Sequence, residues 1–133
     1  MARPPSTQPT DGELEILRVL WVEGPMGLSV LCRQLRRQRE VATTTVATML
    51  RIMQDKGLVR RQGAGRGARW VAAVTHQKTA RKMVGKLLDD LFDGSADRLV
   101  AHLVAAKQLS DQELAELRKL VAKQPKTVNT GRK

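Results

Sequence analysis

The stretch VATTTVATML, residues 41–50, decides how the chain folds, and its composition and its spacing point in different directions. Three adjacent threonines between valines are typical of a β-strand, because β-branched residues favour pleated surfaces. The apolar residues instead recur at the helical positions i, i+3, i+4 and i+7: Val46, Met49, Leu50 and Met53. The spacing therefore predicts a helix that runs to about Lys56, where Gly57 supplies the left-handed residue that closes a helix.

The opposite face of this predicted helix carries small polar groups. On a helical wheel it holds Thr44, Thr48, Arg51 and Asp55, with Thr45 and Ala47 beside them. Short side chains let the first turns of a helix approach base edges in a DNA major groove. The candidate DNA-reading residues are Thr43, Thr44, Thr45, Ala47, Thr48 and Arg51. The alternative, that Thr43 merely caps the helix, accounts for one of the three adjacent threonines.

Two helices before this segment and a hairpin after it complete a winged helix-turn-helix pattern. Thr10 and Glu13 form a capping box at the start of the first helix. The short second helix is expected to bury Val30, Leu31 and Leu35. Residues 58–62 and 68–73 have the composition of two strands joined by a Gly/Arg loop. Because a strand and not a helix follows this glycine-rich loop, the loop does not match a nucleotide-binding motif. Four hairpin arginines are candidates for phosphate or minor-groove contacts: Arg60, Arg61, Arg66 and Arg69.

Three further helices are expected over residues 76–92, 95–106 and 110–123, the last opened by a second capping box, Ser110 with Glu113. A small winged domain offers little surface to cover their apolar stripes, so we expect the same helices of a second subunit to cover them. The alternative, that they fold back on their own chain, stays open. The candidate dimerisation residues are Leu99, Val100, Leu103, Leu114, Leu117, Leu120 and Val121.

The predicted fold class is therefore mainly α with a small β-hairpin wing, in which a winged helix-turn-helix domain precedes a C-terminal helical dimerisation region. The predicted division is a disordered arm over residues 1–9, a DNA-binding domain over 10–75, a dimerisation region over 76–123 and a basic flexible tail over 124–133.

The net charge of +11 is distributed unevenly. From Leu31 to Thr75 there are ten arginines and lysines against Glu40 and Asp55, a net charge of +8. From Met83 to Val121 there are five basic and seven acidic residues, a net charge of −2. A basic block beside a nearly neutral one favours a polyanion as the partner of the first half, against the alternative of a generically basic solvated surface.

Composition argues against several other classes of protein. Cys32 is the single cysteine, so neither a disulfide framework nor a cysteine metal cluster is expected, and a small buried side chain is its expected role. His76 and His102 lie in different elements and no catalytic motif is present, so we expect neither an enzyme nor a metal site nor a cofactor. The sequence has no apolar run of membrane-spanning length and no signal segment, which predicts a cytoplasmic protein without membrane insertion.

Three stretches resemble the penicillinase repressor family of the BlaI/MecI/CopY type: ELEILRVLW (13–21), VATTTVATMLRIMQDKGLVRR (41–61) and LSDQELAELRKLV (109–121). The resemblance runs from about Asp11 to Val121. It implies a homodimeric winged-helix repressor whose N-terminal domain reads a pseudo-palindromic operator in double-stranded DNA. It also implies that the C-terminal helices of two subunits intertwine.

The chain departs from the family pattern at identifiable positions. Ala47 stands where family members often carry a basic residue, and Trp70 alone represents an aromatic second wing strand. The cysteine-rich tail of the copper-responsive branch is absent, which argues against metal sensing. In the β-lactam branch a membrane-bound sensor protease triggers cleavage in the fifth helix. The corresponding bond here is His102–Leu103, where His102 replaces a polar amide and Leu103 an aromatic residue.

Three functional hypotheses follow from the sequence. The first is a dimeric, sequence-specific transcriptional repressor. The second is a non-specific nucleoid or architectural DNA-binding protein that uses the same basic wing. The third is a protein-interaction winged-helix module whose wing contacts an acidic partner.

Overall fold

The order of elements in the computed structural model is the predicted one: three helices, a hairpin and three more helices. The structure describes residues 8–123, so the predicted basic tail and all of the predicted arm except Gln8 and Pro9 lie outside the described residues. The helices are α1 (Asp11–Glu23), α2 (Leu28–Leu35), α3 (Thr43–Asp55), α4 (His76–Phe92), α5 (Ala96–Ala105) and α6 (Asp111–Lys123). The strands are β1 (Val59–Gln62) and β2 (Arg69–Ala72), joined through a short 3-10 turn at Gly65–Gly67.

Helix α1 begins at the predicted capping box. The Thr10 hydroxyl accepts a hydrogen bond from the Glu13 backbone N–H at 3.2 Å, and the Glu13 carboxylate accepts one from the Thr10 N–H at 3.0 Å. Gly24, with a φ of +90°, ends the helix. Glu13 is also buried, which the sequence did not indicate, and its Oε1 accepts a second hydrogen bond from Lys56 Nζ at 2.8 Å. The capping residue of α1 therefore also ties α1 to the end of α3.

The described residues form two compact units whose division falls between Lys82 and Met83, inside α4. The first unit, residues 8–82, has an aliphatic core contributed by α1, α2, α3 and β1. Its most deeply buried side chains are Ile16, Leu17, Leu31, Cys32, Val46, Leu50, Met53 and Val59. The prediction that Val30 is buried is wrong, because the inward face of α2 is formed by Leu31, Cys32 and Leu35, and Val30 lies beside that face with 37% of its surface exposed.

The hairpin is antiparallel, with Arg61 opposite Trp70 and Gln62 opposite Arg69. A third short segment pairs with it. The Trp70 N–H donates to the Met26 carbonyl at 2.7 Å, and the Met26 N–H donates back to the Trp70 carbonyl at 3.2 Å. This bridge fixes the hairpin to the connection between α1 and α2. The wing is therefore attached to the helices by backbone hydrogen bonds as well as by the core.

The second unit, residues 83–123, has well-formed helix starts but no buried apolar side chain among those that the structure describes. Ser95 caps α5, and Ser110 with Glu113 forms the predicted capping box of α6, with both hydrogen bonds at 3.0 Å. Leu91 is 70% exposed and Leu120 57% exposed. The local rules for helix formation are satisfied in this unit, whereas its apolar faces remain largely open.

Candidate nucleic-acid interface

Helix α3 presents its polar face to solvent, as the wheel predicts. Val46, Leu50 and Met53 are buried and Met49 is half-buried. The residues predicted to face outward are exposed: Thr44, Thr45, Thr48, Arg51 and Asp55. Threonines cost a helix only a few tenths of a kcal/mol each, and packing of the buried face supplies most of the stability of a helix within a protein. The three adjacent threonines are therefore compatible with the helix that the spacing of the apolar residues predicts.

Thr43 is not the N-cap of α3, and the interpretation that made it one is wrong. The N-cap is Ala42, with extended backbone angles and no side-chain hydrogen bond to the first turn. Thr43 is the first helical residue, and its hydroxyl oxygen accepts a hydrogen bond from Arg36 Nη2 at 2.8 Å. The N–H groups of the first turn therefore have no capping side chain, and such a helix end favours oxygens of a bound anion.

A groove lies between α3 and the hairpin, and its lining residues come from three parts of the fold. Those from α3 and the hairpin that bear on DNA contact are Thr43, Ala47, Arg51, Gln54, Arg61, Arg66 and Trp70. The α3 residues among them are spaced by three or four positions, so they share one face of the helix. Ala47 also lines the groove, where it is half-buried and contributes only a methyl group.

The pleat of the hairpin separates the three arginines on its strands, and the fourth, Arg66, lies in the turn between the strands. Successive side chains along a strand point to opposite faces of a sheet, and the register places Arg61 opposite Trp70. Arg61 lies over the Trp70 ring, 6.0 Å from the centroid, on the groove side. Arg60 and Arg69 point to the other face, and Arg69 Nη2 donates to the Pro25 carbonyl at 2.9 Å. The structure thus brings Arg61 and Arg66, but neither Arg60 nor Arg69, to the groove.

Four of the ten basic residues between Leu31 and Thr75 bind other parts of the chain: Arg36, Arg39, Lys56 and Arg69. Within residues 8–123 the remaining six make no side-chain hydrogen bond or ion pair: Arg33, Arg37, Arg51, Arg60, Arg61 and Arg66. Three of these six, Arg51, Arg61 and Arg66, line the groove. The charge available to a polyanion is therefore smaller, and more concentrated, than the sequence count suggests.

The turn between α2 and α3 is held by two arginines that the sequence counted only as charge. Arg36 Nε donates to the Val41 carbonyl at 2.9 Å in addition to its bond to Thr43. Arg39 binds Glu15 on α1 through Nη2 at 2.8 Å and Nε at 3.0 Å. The hydrogen bond from Arg39 holds the pKa of the Glu15 carboxyl below its ordinary value, and burial opposes that shift. Both arginines thus position the start of α3.

Sequence reasoning missed two polar residues that line the groove, Ser29 and Gln54. Gln54 follows Arg51 by three positions, so extending the same helical face by one turn would have found it. Ser29 lies in the first turn of α2, and no sequence pattern indicates that this turn faces α3. Both side chains are exposed and can donate or accept hydrogen bonds.

The residues predicted for dimerisation lie on α5 and α6 in the second unit. Leu99, Val100, Leu103, Leu114 and Leu117 are half-buried, and Leu120 is mostly exposed. Val121 belongs to α6, but its side chain lies outside what the structure describes. The His102–Leu103 bond lies inside α5, with the His102 ring centroid 5.9 Å from that of Phe92.

Within residues 8–123, no group of three or more His, Cys, Asp or Glu side chains is arranged to hold a metal ion. None of the helices described is both long enough and apolar enough to cross a bilayer.

Comparison with known proteins gives one consistent result. The model of the penicillinase repressor family matches residues 9–123. The methicillin resistance regulatory protein MecI of Mammaliicoccus sciuri is 20% identical over 114 residues, which are 86% of this chain and 93% of that protein. MecI of Staphylococcus aureus strain N315 is 19% identical with the same coverage. The penicillinase repressor of Bacillus licheniformis is 23% identical over 110 residues, 83% of this chain and 86% of the relative.

Proposed function

The chain belongs to the penicillinase repressor family of transcription regulators, and we propose that it represses transcription as a cytoplasmic homodimer bound to a pseudo-palindromic operator in double-stranded DNA. In this proposal each subunit places α3 in a major groove and its hairpin against the adjacent backbone. The two subunits contact each other through α5 and α6.

The observation that carries this proposal is the groove between α3 and the hairpin. Three arginines with no side-chain hydrogen bond or ion pair within residues 8–123 line it, and the helix face beside them carries only small polar groups near its N-terminus. A phosphate backbone in the groove gains charge-assisted hydrogen bonds without breaking any within the protein. A protein partner with an acidic surface explains the arginines but gives no reason for the small residues.

Within this arrangement the candidate residues take different roles. Thr44, Thr48 and Arg51 are exposed on the face of α3 that meets base edges, where arginine can bind guanine through two hydrogen bonds. Arg61 and Arg66 contact phosphates from the wing. Ala47, in place of the basic residue of many relatives, offers only a methyl group, which suits contact with a thymine methyl.

Dimerisation is supported by the exposed apolar residues of the second unit. Leu120 is 57% exposed, Leu91 70% and Val104 47%, and no apolar side chain described in residues 83–123 is buried, so these helices leave apolar surface for a partner to cover. A two-fold dimer presents two copies of α3 to half-sites about 34 Å apart, one helical turn of DNA. We assign the contact to the residues predicted for dimerisation, from Leu99 to Val121.

Derepression by proteolysis at His102–Leu103 forms the last part of the proposal. A membrane-bound sensor protease, or a protease that it activates, is the proposed partner. Because the bond lies inside α5, the helix has to open locally before a protease can bind the chain in extended form. Incubation with the sensor protease and mass spectrometry of the products test this step, and an uncut His102–Leu103 bond would contradict it.

The central experiment is selection of bound sequences from a random duplex library by the full-length protein. We expect one inverted repeat to be enriched, and we expect it to bind at least tenfold more tightly than a scrambled duplex at physiological salt, since base contacts add to the phosphate contacts. A Thr48→Ala, Arg51→Ala double variant should lose most of this difference. Arg81→Ala, which removes the same charge from an exposed position on α4, should keep it.

Two other outcomes would favour the alternatives. Equal affinity for the enriched and scrambled duplexes at every salt concentration would indicate an architectural DNA-binding protein. Absence of measurable DNA affinity at low salt would indicate a protein-interaction module.

A further inference from the structure

We propose that Arg36 is a positioning residue for DNA recognition: it orients the first turn of α3 and the Thr43 hydroxyl without itself contacting DNA. This inference rests on the proposed function. It concerns a residue that composition alone would count among the phosphate contacts.

The first observation is that Arg36 bridges the turn between the two helices. Arg36 directly follows Leu35, the last residue of α2, and serves as the C-cap of that helix. Its Nε donates to the Val41 carbonyl at 2.9 Å and its Nη2 donates to Thr43 Oγ1 at 2.8 Å. The planar guanidinium therefore spans the whole connection and fixes both the residue before the N-cap of α3 and the residue after it.

The second observation is that α3 lacks the device that ordinarily fixes a helix start. Ala42 occupies the N-cap and has no side chain that can accept a hydrogen bond from the first turn. In α1, α5 and α6 a Thr or Ser at the helix start accepts such a bond. At α3 the ordering contact instead comes from outside the helix, through Arg36, and it leaves the N–H groups of the first turn open.

The third observation concerns the direction of the Thr43 hydroxyl. A hydroxyl group has one proton to donate and two lone pairs that accept. Arg36 occupies a lone pair, and no acceptor within residues 8–123 receives the Thr43 proton. Thr43 lines the groove together with Arg51, Arg61 and Arg66. Its proton is thus available to an acceptor that enters the groove, and an acceptor atom on a DNA base edge has that chemistry.

These observations separate Arg36 from its neighbour Arg37. The Arg37 side chain carries the same charge one position later and makes no hydrogen bond or ion pair within the part of the chain that the structure describes. Arg37 positions no other residue of the described chain, so we expect its effect on DNA binding to come from its charge, whereas Arg36 acts through the geometry of Thr43. Substitution of each residue by Lys and by Gln therefore distinguishes geometry from charge.

The experiment measures dissociation constants of the full-length variants for the enriched duplex and for its scrambled version, over a range of salt concentrations. We expect Arg36→Lys to weaken binding to the enriched duplex by about tenfold, because lysine cannot bridge both acceptors. Binding to the scrambled duplex, and the slope of log affinity against log salt, should match those of wild type because the charge is kept.

Three controls accompany this variant. Arg37→Lys should behave as wild type, and Arg37→Gln should weaken both duplexes by one common factor. Thr43→Val should reproduce the effect of Arg36→Lys, and the double variant should lose no more than the larger single loss, since both changes break one contact. Thermal melts of all variants should agree with wild type to within a few degrees, because the hydrogen bonds of Arg36 are exposed.

Several results would overturn the inference. Wild-type discrimination between the duplexes by Arg36→Lys would show that charge suffices. Additive losses in the Arg36→Lys, Thr43→Val variant would show that the two residues act independently. If wild type itself binds both duplexes equally, the proposed function fails and the role of Arg36 falls with it. If only the role of Arg36 is wrong, wild-type discrimination remains.

Discussion

The two units of this protein are built from helices of similar length and apolar content, yet they bury those apolar residues to very different extents. In residues 8–82, Leu17, Leu31 and Leu50 have no exposed surface. In residues 83–123, the leucines and valines whose side chains are described are half-buried or exposed. The first unit is held together by its own core, whereas the second leaves apolar surface that a partner can cover.

This difference bears on how each unit is stabilised. Three helices and a bridged hairpin surround the core of the first unit, and its two buried polar residues, Glu13 and Thr79, have hydrogen-bond partners. Ion pairs in the second unit, such as Lys86 with Asp90, lie in solvent and contribute little. We therefore expect substitutions in the first unit to act independently of protein concentration and those in the second to act through association.

The largest expected effect comes from the core of the first unit. Leu50→Ala should lower its free energy of unfolding by about 2–5 kcal/mol, because it removes buried methyl groups and leaves a cavity. Ile52→Ala on the same helix, at a residue 46% exposed, should cost less than about 1 kcal/mol. Both tryptophans, Trp21 and Trp70, lie in this unit, so urea denaturation followed by fluorescence reports it alone. Equal losses for the two variants would contradict the assigned core.

The next effect sharpens the contrast between buried and exposed ion pairs. Lys56→Met leaves the buried Glu13 carboxylate without its cation and should cost about 3 kcal/mol. Lys86→Met breaks the exposed pair with Asp90 and should cost less than about 0.5 kcal/mol. Denaturation followed by circular dichroism measures both variants, and a small loss for Lys56→Met would show that solvent reaches Glu13 in solution.

A third effect tests association of the second unit. Leu120→Glu places a charge on an exposed apolar position of α6 and should raise the dimer dissociation constant at least tenfold, as expected for a buried charge without a partner. Gln112→Glu adds the same charge at an exposed polar position and should leave association unchanged. Sedimentation at micromolar concentration measures both variants. Sedimentation of the wild type as a monomer would contradict the expected association of the second unit, because its apolar faces would then stay exposed to solvent.

The smallest effect concerns the ion pair of Glu15 with Arg39 in the first unit. The hydrogen bond from Arg39 lowers the pKa of Glu15, so the pair contributes stability above the ordinary value of 4.5 and loses it as the pH falls through the lowered pKa. Glu15→Gln should therefore lower the melting temperature slightly at neutral pH, and the difference should disappear in acid. Glu23→Gln, at an exposed residue without an ion pair in residues 8–123, should show no such dependence.

Much of the fold could be predicted because the relevant interactions are local. The capping boxes at Thr10 and Ser110 connect residues three positions apart, and Gly57 adopts the left-handed φ of +82° that ends α3. The helical face of α3 follows from side-chain spacing alone. The alternative that Thr43 caps α3 failed for the opposite reason: its hydroxyl is bound by Arg36, seven positions away and across a turn.

For the candidate interface, the sequence indicated which elements form the groove, but it did not indicate which side chains are free to bind DNA. DNA contact by Arg60 and Arg69 stays a prediction, and the strand register places both residues on the face away from the groove. In the sequence, Arg36 and Arg39 counted only as surface charge, whereas their hydrogen bonds show that they hold the turn before α3. Which residues bind DNA stays a prediction that the selection experiment can test.

The sequence by itself therefore determined the order, type and approximate limits of the elements, together with the small polar face of α3, since these depend on residues within about four positions of each other. Only the tertiary structure decided which charged side chains bind a distant part of the chain, whereas the pair of Lys86 with Asp90 is local. Its decisive contacts join residues far apart in sequence: Arg39 to Glu15 across 24 positions, Lys56 to Glu13 across 43 and Arg69 to Pro25 across 44. No local pattern encodes such pairings, because they exist only once the helices and the hairpin have packed.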